Sequence, residues 1–331
     1  VELSITQLQS GGLITNYVCS STCKHCLYGS SPHWQNEYIS QTQAICNIRK
    51  IKELGCHAIH IGGGEPFLWL EGLIHTLQLA NEEAITIDYV ETNSSWYQNH
   101  DQAISVLRDL QDAGLGCILV SISPFHNEHI PLFKVEGVMD AAAQIGMSVF
   151  PWVEHFIPEL RQLDPNRKHS LAEWEDHFGD GYVSNLPSRY WITMGGRAAL
   201  TYRDYLPQKP LDQILSSSAG GCSRLLDTSH FHVDLFGTYI PGLCSGLGIA
   251  LENLGKPLDP QEYPLLTMLY SEGIQGLFKW ATEKHYYKPK ASYIGKCELC
   301  LDIRMHLVLQ TSLESKELTP HPFYLYVQSG K

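Results

Sequence analysis

From Gly12 to about Phe156, short apolar runs alternate with helical stripes, and no other feature limits the fold as strongly. "GLITNYV" (Gly12–Val18) reads as a strand. In "SQTQAICNIRKIKELGC", Ile45, Ile48, Ile51 and Leu54 recur every third position, a helical stripe that stops at Gly55. "HAIHIGGGEP" is a strand running into three glycines, "GLIHTLQLANEEA" a helix and "ITIDYVETNSS" a strand. "DQAISVLRDLQDAG", "LGCILVSIS", "VEGVMDAAAQIGM" and "SVFPWVEHF" continue the alternation, and "RYWITMGGRAAL" (Arg189–Leu200) is expected to add a last strand. About six β/α repeats over residues 1–206 predict an α/β fold with a parallel sheet and right-handed crossovers, open or closed into a barrel. Ligands of such sheets gather at the carboxyl ends of the strands. The polar and glycine-rich segments fall there: Cys19–Cys26, Gly62–Pro66, Glu91–Ser95 and Ser121–Ser123. Their common location predicts one site.

After Leu206 the pattern changes. "PQKPLDQILSSSAGG" is rich in Pro, Ser and Gly, which places a boundary there and divides the chain into residues 1–206 and 207–331. "HFHVDLFGTYIPGLC" reads as a β-hairpin turning near Phe236–Gly237. A helical stretch, "YPLLTMLYSEGIQGLFKWATEKH", precedes "KCELCLDIRMHLVL", which carries a CxxC.

The formal net charge of −12 argues against a general nucleic-acid binder, which needs basic surface to replace phosphate counterions. The longest apolar runs, such as "GCILVSI", fall far short of the roughly 20 residues of a membrane span. The segment "VELSITQLQSGG" has neither the basic start nor the apolar core of a signal peptide. Ten cysteines without such a signal predict a reducing cytoplasm, where clustered thiols bind metal or do redox chemistry.

"NYVCSSTCKHCLYGSS" places Cys19, Cys23 and Cys26 within eight residues. A disulfide needs two thiols, and a closed zinc site four ligands. Three thiolates on one loop can hold three corners of a [4Fe–4S] cube and leave the fourth iron open to a small molecule. A zinc site completed by His25 or His33 is the other possibility. Cys222, Cys244, Cys297 and Cys300 offer a second set, two flanking the hairpin and two opening a helix; a Cys₄ zinc site and a fully ligated [4Fe–4S] cluster both fit. Cys46, Cys56 and Cys117 lie among apolar neighbours and read as core residues.

The CxxxCxxC after a first strand resembles the signature of the radical SAM (S-adenosylmethionine) superfamily, with His25 where that family usually has an aromatic residue. Gly63-Gly64-Glu65-Pro66 is similar to the family's GGEP, "ETNSS" to its TN-containing segment, "SIS" to its ribose-contacting segment, and Gly196-Arg197-Ala198 to its GRA. The resemblance implies a partial (β/α)6 TIM-like barrel. Cys19, Cys23 and Cys26 would be the catalytic cluster ligands, with Gly63, Gly64, Glu65, Asn93, Ser121, Ser123 and Arg197 around SAM. Many relatives carry an Arg after the fourth strand; here only Lys134 is placed for that role. Cys222, Cys244, Cys297 and Cys300 resemble the Twitch form of the SPASM/Twitch extension, a small α+β domain with a β-hairpin and one auxiliary [4Fe–4S] cluster.

The function so implied is reductive cleavage of SAM to a 5′-deoxyadenosyl radical that abstracts hydrogen from a substrate. Net oxidation would be assisted by the auxiliary cluster, because a fully ligated cluster can accept an electron but cannot bind substrate. An amino-sugar-like small molecule is the expected substrate. A peptide or protein side chain, as in sulfatase maturation or peptide-modifying maturases, is the alternative. Only 18 residues precede Cys19, so no fused leader-binding domain is expected. The implied partner is an electron donor such as flavodoxin or ferredoxin, and neither nucleic acid nor a membrane is expected. A cysteine-rich zinc scaffold is the remote non-enzymatic reading.

Overall fold

The computed structural model describes residues 2–330. Four β/α units and a fifth strand form where the alternation predicts them. They are β1 (Gly11–Ile14), α1 (Gln41–Glu53), β2 (Ala58–Gly62), α2 (Leu70–Glu82), β3 (Thr86–Thr92), α3 (His100–Asp112), β4 (Cys117–Ser121), α4 (Leu132–Gln144) and β5 (Ser148–Trp152). Side chains at the N-caps start two of the helices: Ser40 accepts from Gln43 N at α1, and Asn99 from Gln102 N at α3. Their inward stripes are apolar, Ile48 and Ile51 on α1 and Leu107 and Leu110 on α3, all fully buried.

The expected sixth strand at Arg189–Leu200 does not form. Tyr190 ends a short helix, and Gly196–Thr201 is itself helical, here α5. Gly196 has φ +53°, a conformation that leaves a strand, and a Cβ there would fall 2.3 Å from the Leu27 carbonyl. The segment is shaped to press Arg197 onto the cysteine loop. It is not an edge strand.

The place beside β1 is taken by the predicted hairpin. It consists of β6 (Phe231–Asp234) and β7 (Thr238–Ile240), followed by β8 (Ile249–Ala250). β6 pairs parallel to β1, Gly12 against His232, and antiparallel to β7, with Gly237 (φ +76°) in the turn. The sheet order is β5-β4-β3-β2-β1-β6-β7-β8, so one sheet runs through residues on both sides of Leu206. One apolar core likewise joins Ile48 and Ile51 to Phe231, Tyr239, Leu266 and Leu301. Behind it lie α6 (Pro264–His285), α7 (Lys296–Leu309) and α8 (His321–Ser329). Among the described residues no helix is long and apolar enough to cross a membrane.

Candidate active site

The loop after β1 carries the three cysteines, and the turn after β2 locks onto it. Gly64 N donates to the Asn16 carbonyl at 2.7 Å and Glu65 N to the Val18 carbonyl at 2.9 Å. The Asn16 amide reaches the carbonyls of Val18 and Glu65, both at 3.1 Å. A Cβ at Gly64 would lie 1.9 Å from the Val18 carbonyl oxygen, so no other residue fits without moving the backbone.

From the far side, Arg197 holds the loop closed. Its Nε donates to the Cys23 carbonyl at 2.9 Å, a terminal nitrogen to the Ser30 carbonyl at 2.5 Å, and its backbone N–H to the Cys26 carbonyl at 3.0 Å. The three thiols face a cavity of about 420 Å³. Burial pushes the Cys19 thiol up to about 12 and the Cys23 thiol well above its ordinary value. Without metal these are thiols; metal ligation is what would ionise them.

Gly63, Gly64, Asn93, Ser121 and Arg197 share the cavity wall with the cysteines. Asn93 aims its amide at Cys19 Sγ (3.4 Å) and at the hydroxyls of Ser20 (3.3 Å) and Ser21 (3.5 Å). His25 sits against Phe125 and Tyr190, ring centroids 4.5 and 5.2 Å away, with its Nδ1 buried and unpaired. The donor set suits a [4Fe–4S] cluster held by three thiolates. The glycine turn that a Cβ would fill, the amide on sulfur and the unpaired imidazole nitrogen form a polar cradle beside it.

Residues 13–148 match the Radical SAM superfamily. That match covers about two fifths of the chain. No curated protein matches the chain. Among solved structures it is similar to native anSMEcpe with bound AdoMet and a Cp18Cys peptide, at 13% identity and a TM-score of 0.43, covering 90% of this chain and 97% of that one. It is also similar to SuiB of Streptococcus suis bound to precursor peptide SuiA, at 13% identity and a TM-score of 0.35, with coverage of 96% and 75%. A third is coproporphyrinogen III oxidase (HemN) of Escherichia coli, at 11% identity and a TM-score of 0.34, with coverage of 92% and 91%.

Three residues that the sequence resemblance puts around SAM lie elsewhere. Glu65 is fully buried behind the wall. Its carboxylate accepts from Asn93 N (2.7 Å), Thr92 Oγ1 (3.0 Å) and Phe67 N (3.2 Å), so it positions Asn93 and does not itself reach the cavity. Burial raises its carboxyl to about 7. Ser123 caps a short helix and bonds His126 Nδ1 at 2.7 Å. Lys134 Nζ holds the Ser95 carbonyl at 2.9 Å and does not line the cavity.

Glu65→Ala strands two buried N–H groups and a hydroxyl, and is expected to cost about 2–4 kcal/mol of stability. Glu65→Gln, which keeps one acceptor oxygen, should cost less. Urea denaturation of both variants checks the order.

The cavity also has walls that motif reading missed: Tyr89, Trp152, Tyr190, Trp191, and above all His230 and His232; Tyr28 and Glu91 line it too. Glu91 is enclosed by the protein, yet 38% of its side chain is open to the cavity, and desolvation raises its carboxyl to about 7.

The second cysteine set converges in space. Cys244 lies within electrostatic reach of Cys222, Cys297 and Cys300, and Cys300 within reach of Cys222 and Cys297. Burial raises the Cys244 thiol to about 12. Close-packed glycines hold the loops: a Cβ at Gly221 would meet the Tyr270 carbonyl at 1.9 Å, and one at Gly242 the Arg224 carbonyl at 2.0 Å. Arg304, one turn beyond Cys300 on α7, is buried beside these thiols with its Nε unpaired. An unpaired guanidinium N–H fits a group that brings sulfur and negative charge. Two arginines near α5 reach towards the two cysteine sets. Arg203, just beyond α5, forms a 2.5 Å ion pair with buried Glu298 between Cys297 and Cys300, while Arg197 on α5 grips the first loop.

Proposed function

We propose that this chain is a radical SAM enzyme that oxidises a small, polar, amino-sugar-like molecule. The observation that carries the reading is the convergence of Cys19, Cys23 and Cys26 on one cavity wall, with Gly63, Gly64 and Asn93 beside them. Those thiolates would hold a [4Fe–4S] cluster that supplies an electron to SAM and so generates the 5′-deoxyadenosyl radical that takes hydrogen from substrate. Arg197 fixes the loop by its carbonyls, so the thiols need little reorganisation to ligate. Asn93, set by Glu65, offers an amide at the cluster edge, and the glycines let a ligand approach the backbone. Trp152, Tyr190 and Trp191 give the cavity an aromatic wall. Its polar groups (Tyr28, Glu91, Ser121, Thr193) suit a compact hydroxylated substrate.

Residues 207–331 we assign as an auxiliary unit. Cys222, Cys244, Cys297 and Cys300 would close all four corners of a second [4Fe–4S] cluster, with Arg304 as counter-charge, and the unit would accept an electron from the substrate radical. A flavodoxin or ferredoxin would reduce the first cluster. Anaerobically reconstituted protein, reduced with dithionite and given SAM, should release 5′-deoxyadenosine. Absence of that product in protein with its full iron content would refute the reading.

A further inference from the structure

Gly12 lies at the centre of a three-strand row. It pairs with His60 of β2 on one side and His232 of β6 on the other. Having no side chain, it leaves the two imidazoles free to meet above it, and their Nε2 atoms are 2.9 Å apart. A Cβ on residue 12 would fall 2.3 Å from His60 Nε2. His230, two residues back on the same face, stacks on His60 with ring centroids 5.3 Å apart. One ring nitrogen from each of the three histidines lies within 4.8 Å of the others. Glu91 Oε1 is 3.8 Å from His60 Nε2.

We propose that His60, His230 and His232 bind a divalent first-row transition-metal ion in the floor of the cavity, with Glu91 or a ligand oxygen completing its coordination. Three imidazoles and a carboxylate are a donor set for zinc or iron(II), and are too nitrogen-rich for magnesium or calcium. Around a tetrahedral ion with bonds of about 2.1 Å, ligand nitrogens sit about 3.4 Å apart. His60 and His232 are already that close, and a modest rotation of His230, half-buried on the cavity wall, closes the triangle.

An outer partner fits the same reading. Tyr28 Oη is 2.7 Å from His232 Nδ1. Ligating histidines ordinarily have their second nitrogen fixed in this way, which turns the Nε2 lone pair inward. The ion would face the same cavity as the three-cysteine loop, since His230 and His232 line that cavity with Cys19, Cys23 and Cys26. A hydroxyl, carboxylate or carbonyl of a bound molecule would then meet the metal on one side and SAM on the other. The metal site itself does not depend on the radical SAM reading.

The test uses anaerobically reconstituted holoprotein, freed of loose metal with EDTA, and zinc(II) alone as probe. Titration calorimetry and elemental analysis should give one zinc per chain beyond the iron. Zinc-edge X-ray absorption should show nitrogen and oxygen at about 2.0–2.1 Å with no sulfur at about 2.3 Å. His230→Ala and the bulkier His230→Gln should each weaken binding by on the order of 100-fold or more, beyond the 10–100-fold typical of losing an outer partner, with iron and sulfide unchanged. Gly12→Ala should weaken it through the imidazole it displaces. No zinc uptake, sulfur ligation, or uptake indifferent to both His230 variants would overturn the proposal and leave the three histidines as a hydrogen-bonded wall.

Discussion

Replacing Cys19, Cys23 and Cys26 together by alanine should remove about four of about eight irons per chain and reduce 5′-deoxyadenosine formation to background. The loop has little other reason to keep its shape for thiols. Its carbonyls are held by Arg197 and its entry by the Gly64–Asn16 bond, so alanines fit the same backbone. The variant should therefore remain folded, with circular dichroism close to the parent. Loss of activity would then report the ligands and not the scaffold. A variant that still cleaved SAM would remove the first loop from the mechanism.

Cys297→Ala combined with Cys300→Ala should give the opposite split. About four irons and SAM cleavage survive, while oxidised product does not form. Both cysteines lie on the first turn of α7, whose Leu299, Leu301 and Ile303 are packed in the core. Packing therefore favours a folded variant, but Arg304 would keep Cys244 and lose Cys300 beside it while staying buried, which is expected to destabilise the fold. Limited proteolysis should show whether α6–α8 stay docked. A docked variant lacking the second iron set and still forming oxidised product would exclude electron acceptance. An undocked variant would mean that the four cysteines serve folding.

Much of this was legible in sequence, for physical reasons. The four β/α units and the fifth strand follow from apolar periodicity, and strand-end motifs must converge wherever strands are parallel. The hairpin about Gly237 followed from alternation and one glycine. Its partner did not: nothing local says that Phe231–Asp234 will lie along β1, because that pairing joins residues more than 200 positions apart. The lost strand at Arg189–Leu200 has a similar cause. Its apolar residues read as a strand, but Gly196 and the carbonyls awaiting Arg197 decide the backbone there. Glu65 looked like a cavity residue because its glycine neighbours are; whether it faces the cavity or Asn93 depends on one backbone turn. The histidines did leave a signal. His230, just before β6, and His232 on it stand two residues apart, and His60 is the only polar side chain within Ile59–Ile61 of β2. Only the pairing of both strands with β1 at Gly12 makes them neighbours.

The central claim is that the three-cysteine loop leaves one iron open to SAM. Electron paramagnetic resonance of the reduced holoprotein tests it most directly, with and without SAM labelled with ¹⁵N and ¹⁷O in its methionine amino and carboxylate groups. The account predicts that SAM changes the g values of one cluster only, that nuclear couplings from both labels appear on that signal, and that both effects vanish in the Cys19/Cys23/Cys26 variant. A cluster signal that stays the same when SAM is added, with no coupling to either label, would contradict it.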